Sequence, residues 1–248
     1  MTPINIPHNT KCYIISDVHG KYSELQQLIH DYSINEEDIV IFQGDLINKG
    51  KENIETLDYA LSRPNTYILL GNHEEVFVDY FLHNKSAAKL FLESAGGSWV
   101  FPQEPSIMKE YASKLNEKAI LAIELNIDSF SLGVCHAAVP FNDWQEIRND
   151  PFRYKKRILW DESHFNAHLQ GKYGMIKNID GVMVGHIPVE SYKTIGNVIY
   201  MDTGSLENEN KIGILEIRDA IKILNLKESV IEETITPSLF TRLKKLFC

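Results

Sequence analysis

Short apolar runs, each ended by a cluster of Gly, Asp, Asn or His, recur along the first 95 residues. Residues 12–16 (CYIIS), 39–42 (IVIF) and 66–70 (TYILL) are β-branched, aromatic or aliphatic at consecutive positions, which predicts buried strands. Between them, Leu25, Leu28 and Ile29 share one helical face over 23–32, and Ile54, Leu57 and Leu61 share another over 54–61. Residues 74–82 and 87–94 also read as helices. The order is therefore β-α-β-α-β-α, with a polar motif at the C-terminal end of each strand. Parallel α/β sheets place their ligands there, because the loops converge at that edge.

The second half is richer in strands. A helix is expected over 108–118 and strands over 119–126, 130–135, 181–184, 198–201, 213–217 and 220–226. The last two read as a hairpin across Arg218-Asp219. The stretch 141–168 is mixed, aromatic and partly helical, with Pro151 interrupting it. The expected class is α/β, both halves packing as two sheets in one domain over 11–227. Residues 228–248 are expected to form a helical tail. Its end (TPSLFTRLKKLFC) puts Phe240, Leu243, Leu246 and Phe247 on one face beside Arg242, Lys244 and Lys245. A terminal helix capping the core is the favoured reading; contact with a membrane or a partner is the alternative.

Composition narrows the class. The 248 residues are 44% hydrophobic, enough for a sizeable core. The net charge of −9 argues against nucleic acid as a bulk partner, where a basic footprint is expected. A small phosphorylated substrate stays open, because bound metal ions reverse the local sign. Cys12, Cys135 and Cys248 are odd in number and far apart, which fits a reducing, cytoplasmic setting. No signal peptide and no membrane-spanning apolar run are read.

Three strings carry the chemistry: SDVHG at 16–20, QGDLIN at 43–48 and GNHE at 71–74. Two further histidines, His136 and His186, follow apolar runs. Together they offer Asp17, His19, Asp45, Asn72, His136 and His186 as metal ligands. These six donors suffice for two divalent ions sharing the Asp45 carboxylate. Mixed O/N ligation suits Mn, Fe or Zn better than Ca or Mg, and the residues alone do not choose among the three. Two such ions lower the pKa of a shared water and clamp phosphoryl oxygens during in-line attack. His73, next to Asn72, is the candidate to protonate the leaving oxygen. Singly, each string is ordinary: Gly-Asn-His alone is a turn, and a lone His at a strand end is usually structural. Their order, each behind a strand, is what points to a site. His8, His30, His83, His164 and His168 have no such context and are read as surface residues.

These motifs resemble the phosphoprotein phosphatases (calcineurin-like metallophosphoesterases), in their bacterial and phage branch. The pattern GD-x-HG, GD-x-VDRG, GNHE, a His on HA or HG, then GH stands here as SDVHG, GDLINKG, GNHE, CHAAVPF and VGHIPV. The likeness extends to ESAGGSW at 93–99, ILW at 158–160 and IYMDTGS at 199–205. It implies a two-sheet β-sandwich flanked by helices and a metal-dependent phosphatase acting on a phosphorylated protein or a small phosphoester. All six ligand positions are kept.

The departures concern the phosphate clamp. Asn48 and Lys49 stand where the family has Asp and Arg, so the resemblance gives both a catalytic position. That Asp partners the histidine at the position of His73. Leu70 and Glu162 stand where this branch carries arginines. A diadenosine tetraphosphatase-like pyrophosphate hydrolase, or a metal-binding protein with a weakened clamp, are the alternatives.

Overall fold

A computed structural model of the protein describes residues 2–172, 174–204 and 211–232, and beyond residue 225 it describes the backbone alone. The strands are β1 (Ile4–Asn5), β2 (Cys12–Ile15), β3 (Ile39–Phe42), β4 (Thr66–Ile68), β5 (Ala122–Ile127), β6 (Phe130–Cys135), β7 (Gly181–Val184), β8 (Lys193–Ile195), β9 (Val198–Tyr200) and β10 (Ile214–Glu216). The helices are α1 (Tyr22–Asp31), α2 (Asn53–Ser62), α3 (Asn72–Phe81), α4 (Ser86–Ser94), α5 (Pro105–Lys118), α6 (Trp144–Asn149), α7 (Lys155–Trp160), α8 (Ser163–Leu169) and α9 (Ile217–Glu232). One sheet has the order β10-β2-β3-β4 and the other β1-β5-β6-β7-β9-β8.

Strands β2, β3 and β4 are parallel and in register, Ile15 opposite Phe42 and Phe42 opposite Ile68. Their C-terminal ends therefore line one edge. In the other sheet β6 and β7 are also parallel to each other. Strands apolar at every position are what a sheet covered on both faces requires. Cys12 and Ile14 turn inward with Ile41, Leu69, Leu125, Val134, Met183 and Ile199 to fill the layer between the sheets. Tyr13, Ile15, Val40 and Phe42 turn outward against Leu25, Leu57, Phe77 and Ala112 of α1, α2, α3 and α5. On the far side Val182, Val184 and Tyr200 pack against Trp144, Ile147, Ile158 and Leu159 of α6 and α7. The two-sheet sandwich flanked by helices is thus as expected.

Two expectations are corrected. Residues 220–226 are not a strand, and no hairpin turns at Arg218-Asp219; the chain enters α9 there. Ile217, Ala220 and Leu224 sit in the inter-sheet core with Ile221 packed beside them. This i, i+3, i+4, i+7 spacing is helical, and it outweighs the local alternation of 221–226. Arg218 reaches back to the carbonyls of Thr10 and His8 at 2.9 and 2.8 Å. His164 is not a surface residue: it is buried, with Nδ1 2.6 Å from the Tyr200 hydroxyl and Nε2 2.9 Å from the Gly174 carbonyl. His8, His30 and His83 are exposed. Strands β1 and β8 have no counterpart among the expected strands. The 141–168 stretch holds α6, α7 and part of α8, with 3-10 turns at Pro140–Asn142 and Phe152–Tyr154. The amphipathic end, 236–248, lies outside the described residues. No described helix is long and apolar enough to cross a membrane.

Candidate metal centre

Every candidate donor leaves a strand at the shared edge. Asp17 and His19 follow β2, Asp45 follows β3, and Asn72 and His73 open α3 after β4. His136 follows β6 directly, and His186 follows β7. The turns that carry them are tight: His19, Asp45, Asn48, Lys49 and His186 all have φ between 50° and 74°. Non-glycine residues rarely adopt this left-handed conformation, and its clustering in one place is characteristic of functional sites.

Asp45 is the hub. Its carboxylate lies within 4.8 Å of ring nitrogens of His19 and His73 on one side, and of His136 and His186 on the other. His136 Nε2 is 3.4 Å from Asp45 Oδ1, and His19 Nε2 is 3.9 Å from Oδ2. His136 Nδ1–H donates to the Gln43 carbonyl at 2.8 Å and His19 Nδ1–H to the Ile47 carbonyl at 3.1 Å. Those backbone acceptors fix both tautomers and leave the Nε2 lone pairs facing the centre, as in histidines that ligate metals. Asn72 Oδ1 lies 2.9 Å from His136 Nε2 and 3.1 Å from His186 Nδ1. It also lies against both Asp45 oxygens, at 3.2 Å. All four of these neighbours accept, so an NH₂ at that end of the amide donates to them, and the amide turned over presents its carbonyl oxygen to the centre. Imidazole nitrogens and a carboxylate gathered within 4.8 Å are a donor set that fits divalent ions. Asp17 sits at the margin, taking the Ser16 hydroxyl at 2.5 Å and the His186 N–H at 3.1 Å. The structure groups His73 with His19 and Asp45 where the sequence reading placed Asp17.

Glycine is required where the strands bring these side chains together. A Cβ on Gly71 would lie 2.2 Å from Asp45 Oδ1, and one on Gly185 would lie 2.2 Å from Asp17 Oδ2. Burial, with Asp202 adding its charge, pushes Asp17 well above the usual carboxylate range. Burial and then Glu74 do the same to Asp45. Burial and then Lys49 hold His19 well below its ordinary value and His73 at about 3. Burial and then His136 hold His186 at about 3. The cluster thus resists both carboxylate and imidazolium charge, a tension that bound cations relieve for the carboxylates.

The clamp positions are distributed as follows. Lys49 is exposed, with Nζ 2.9 Å from His19 Nε2. Leu70 packs in the apolar layer with Tyr154 and Trp160. Glu162 is exposed at the mouth, Oε1 lying 4.0 Å from His186 Nε2. Asn48 is fully buried, its Nδ2 2.7 Å from His73 Nδ1 and its Oδ1 accepting the Trp99 indole N–H at 2.9 Å. Two further participants have roles that the sequence does not assign: Trp99, which stands in the ESAGGSW string, and Glu74, a family position kept beside His73 in GNHE. Nothing in either string shows that Glu74 accepts the backbone N–H groups of Asp45, Leu46, Ile47 and Gly71.

Known proteins resemble this chain in sequence and in fold. The family model for calcineurin-like phosphoesterases matches residues 10–192. Serine/threonine-protein phosphatase 2 of Escherichia coli is 28% identical over 221 residues, covering 87% of this chain and 96% of its own. An asymmetrical bis(5'-nucleosyl)-tetraphosphatase of Oceanobacillus iheyensis is 25% identical over 219 residues, covering 78% and 84%. The crystal structure of a metallophosphoesterase from Sphaerobacter thermophilus superposes with a TM-score of 0.51 over 95% of this chain and 98% of that one, at 16% identity. With the family model spanning β2 through β7 and both groups of donors, this chain belongs to the calcineurin-like phosphoesterases, metal-dependent hydrolases of phosphoester bonds.

Proposed function

We propose that the chain hydrolyses phosphomonoesters with two divalent cations, Asp17, His19 and Asp45 holding one and Asp45, Asn72, His136 and His186 the other. The observation that carries this reading is the convergence on the Asp45 carboxylate of ring nitrogens of His19 and His73 from one side and of His136 and His186 from the other, each group within 4.8 Å. Mn²⁺ is the expected ion, with Fe and Zn as alternatives. When bound, such ions lower the pKa of water and neutralise phosphoryl oxygens. The chain's own residues orient the substrate. Lys49 offers an ammonium on the solvent side. His73, its Nε2 3.7 Å from Asp45 Oδ2, faces the reacting groups and is placed to hydrogen-bond the leaving oxygen. The name of the Escherichia coli relative supports serine/threonine phosphoproteins as substrates. The exposure of Lys49 and Glu162 leaves room for these as well as for small phosphoesters.

A second reading, a pyrophosphate-bond hydrolase, is favoured by Glu162 beside His186 and by the apolar setting of Leu70. A terminal phosphate dianion needs more cationic partners than an internal phosphoryl group carrying one charge. The name of the Oceanobacillus relative points the same way.

The test is Mn²⁺-dependent hydrolysis of para-nitrophenyl phosphate beside bis-para-nitrophenyl phosphate and diadenosine tetraphosphate, with Asp45→Asn as the control. Metal-dependent turnover lost in the control supports the reading, and the preferred substrate separates its two forms. A folded, metal-loaded protein that turns over none of the three would refute it and leave binding as the role.

A further inference from the structure

A chain of hydrogen bonds runs from Trp99 through Asn48 to His73. The Trp99 indole Nε1–H can only donate, so the Asn48 atom that it meets at 2.9 Å is the carbonyl oxygen. The other end of that amide, Nδ2, then donates to His73 Nδ1 at 2.7 Å. Nδ1 is therefore an acceptor, and the ring proton sits on Nε2. Turning the amide over does not release the constraint. It would let Nδ1–H donate to Asn48, but would set the indole N–H against an NH₂ group. Both ends are held: Trp99 stacks on Phe77 at 13° between ring planes, and Asn48 N–H donates to Asn53 Oδ1 at 2.6 Å. The His73 ring lies edge-on to Phe91, centroids 5.3 Å apart.

We propose that Trp99 is a positioning residue that, through Asn48, fixes His73 as the neutral Nε2–H tautomer, and that the site thereby selects substrates by their leaving group. This rests on the phosphoesterase reading. In hydrolysis the bond between phosphorus and the leaving oxygen breaks, that oxygen keeps the electron pair, and a water oxygen forms the new bond to phosphorus. A neutral imidazole donates a hydrogen bond from Nε2 to the departing oxygen but does not surrender the proton. The oxygen leaves as an anion and is protonated by solvent; the proton of the attacking water also goes to solvent. Aryl phosphates and phosphoric anhydrides tolerate that departure, because their leaving groups are stable anions near neutrality. Alkyl esters, such as those of serine and threonine, need the proton in the transition state, so the proposal narrows the substrates named above toward aryl esters and anhydrides and sets phosphoserine and phosphothreonine below them.

The test uses the full chain and two measurements. The first is the ¹⁵N spectrum of the His73 ring, assigned by comparison with His73→Gln and recorded with and without Zn²⁺. Wild type is expected to show Nε2–H. Asn48→Asp, whose carboxylate accepts from both neighbours, is expected to show Nδ1 protonated, and Trp99→Phe a mixture. The second is kcat/KM across aryl, alkyl and anhydride substrates. Asn48→Asp is expected to raise the alkyl-to-aryl ratio about 10²-fold, the low end of what general acid catalysis supplies. Trp99→Phe is expected to raise it less, whereas a purely structural loss would lower every substrate alike. An Nδ1–H tautomer in wild type, or an unchanged ratio in Asn48→Asp, overturns the proposal. Absence of turnover on every substrate overturns the phosphoesterase reading instead, while the ring spectrum still decides the tautomer.

Discussion

Glu74 grips Asp45 by the main chain, its Oε2 accepting the Asp45 N–H at 2.7 Å. The same oxygen takes the Gly71 N–H at 3.1 Å, and Oε1 takes Leu46 and Ile47 at 2.9 and 3.2 Å. One fully buried carboxylate thus ties the loop after β3 to the first turn of α3. Glu74→Gln puts an NH₂ where one pair of these donors points. We expect a loss of about 2 kcal/mol, the cost of leaving buried N–H groups unpaired, and a melting temperature about 6 °C lower. A thermal melt measures it; an unchanged melt would deny Glu74 this role.

Asp45→Asn separates stability from chemistry. Turnover is expected to vanish, while the cation-free protein becomes more stable. Burial and Glu74 raise the Asp45 pKa in the folded state above its ordinary value of 3.8. A raised carboxyl contributes stability that is full below the unfolded value and is lost as pH rises through the folded one. The variant's advantage in urea unfolding is therefore expected to be largest at alkaline pH and to shrink as pH falls toward about 3.8. A variant less stable than wild type at pH 8 would contradict this account.

Acid is expected to weaken cation binding. Asp17 and Asp45 hold their protons more tightly than ordinary carboxylates, so an ion entering the site must displace them. Titration calorimetry with Mn²⁺ in buffers of different ionisation enthalpy should report proton release, with a Kd that rises as pH is lowered. Binding with no proton release would place the ion elsewhere.

Glu162→Arg tests the clamp. Glu162 lies at the mouth, 4.0 Å from His186, and carries the wrong sign for a phosphate dianion. An arginine there is expected to lower KM for para-nitrophenyl phosphate about tenfold, the effect of one charge-assisted hydrogen bond at a half-exposed position. Its effect on diadenosine tetraphosphate is expected to be smaller. Equal KM in variant and wild type would mean that the substrate phosphate does not approach this edge.

The parts legible in the sequence are those whose cause is local. β2 and β3 announced themselves because strands covered on both faces are apolar at every position. The donors could be read because each stands where a strand ends. Helix α9 was misread because residues 221–226 alternate over a short window, and only Ile217, Ala220 and Leu224 meeting the inter-sheet core reveal the longer period. Asn48 could be singled out by comparison with a motif. Its orientation could not, because that depends on Trp99, 51 residues away. His164 looked unsupported because its partner, Tyr200, comes from β9 across the fold.

Asp17, Asp45 and Asn72 hang from one sheet, and His136 and His186 hang from the other. A cation bound by both sets is thus a rivet through the seam of the sandwich, joining the early and late parts of the chain at their shared edge. Removing it does more than empty a pocket: it leaves the two plies joined at this end only by their apolar layer and by hydrogen bonds such as those from His136 to Gln43 and from His186 to Asp17. Chelation would then be felt as faster hydrogen exchange along β6 and β7, remote from any substrate.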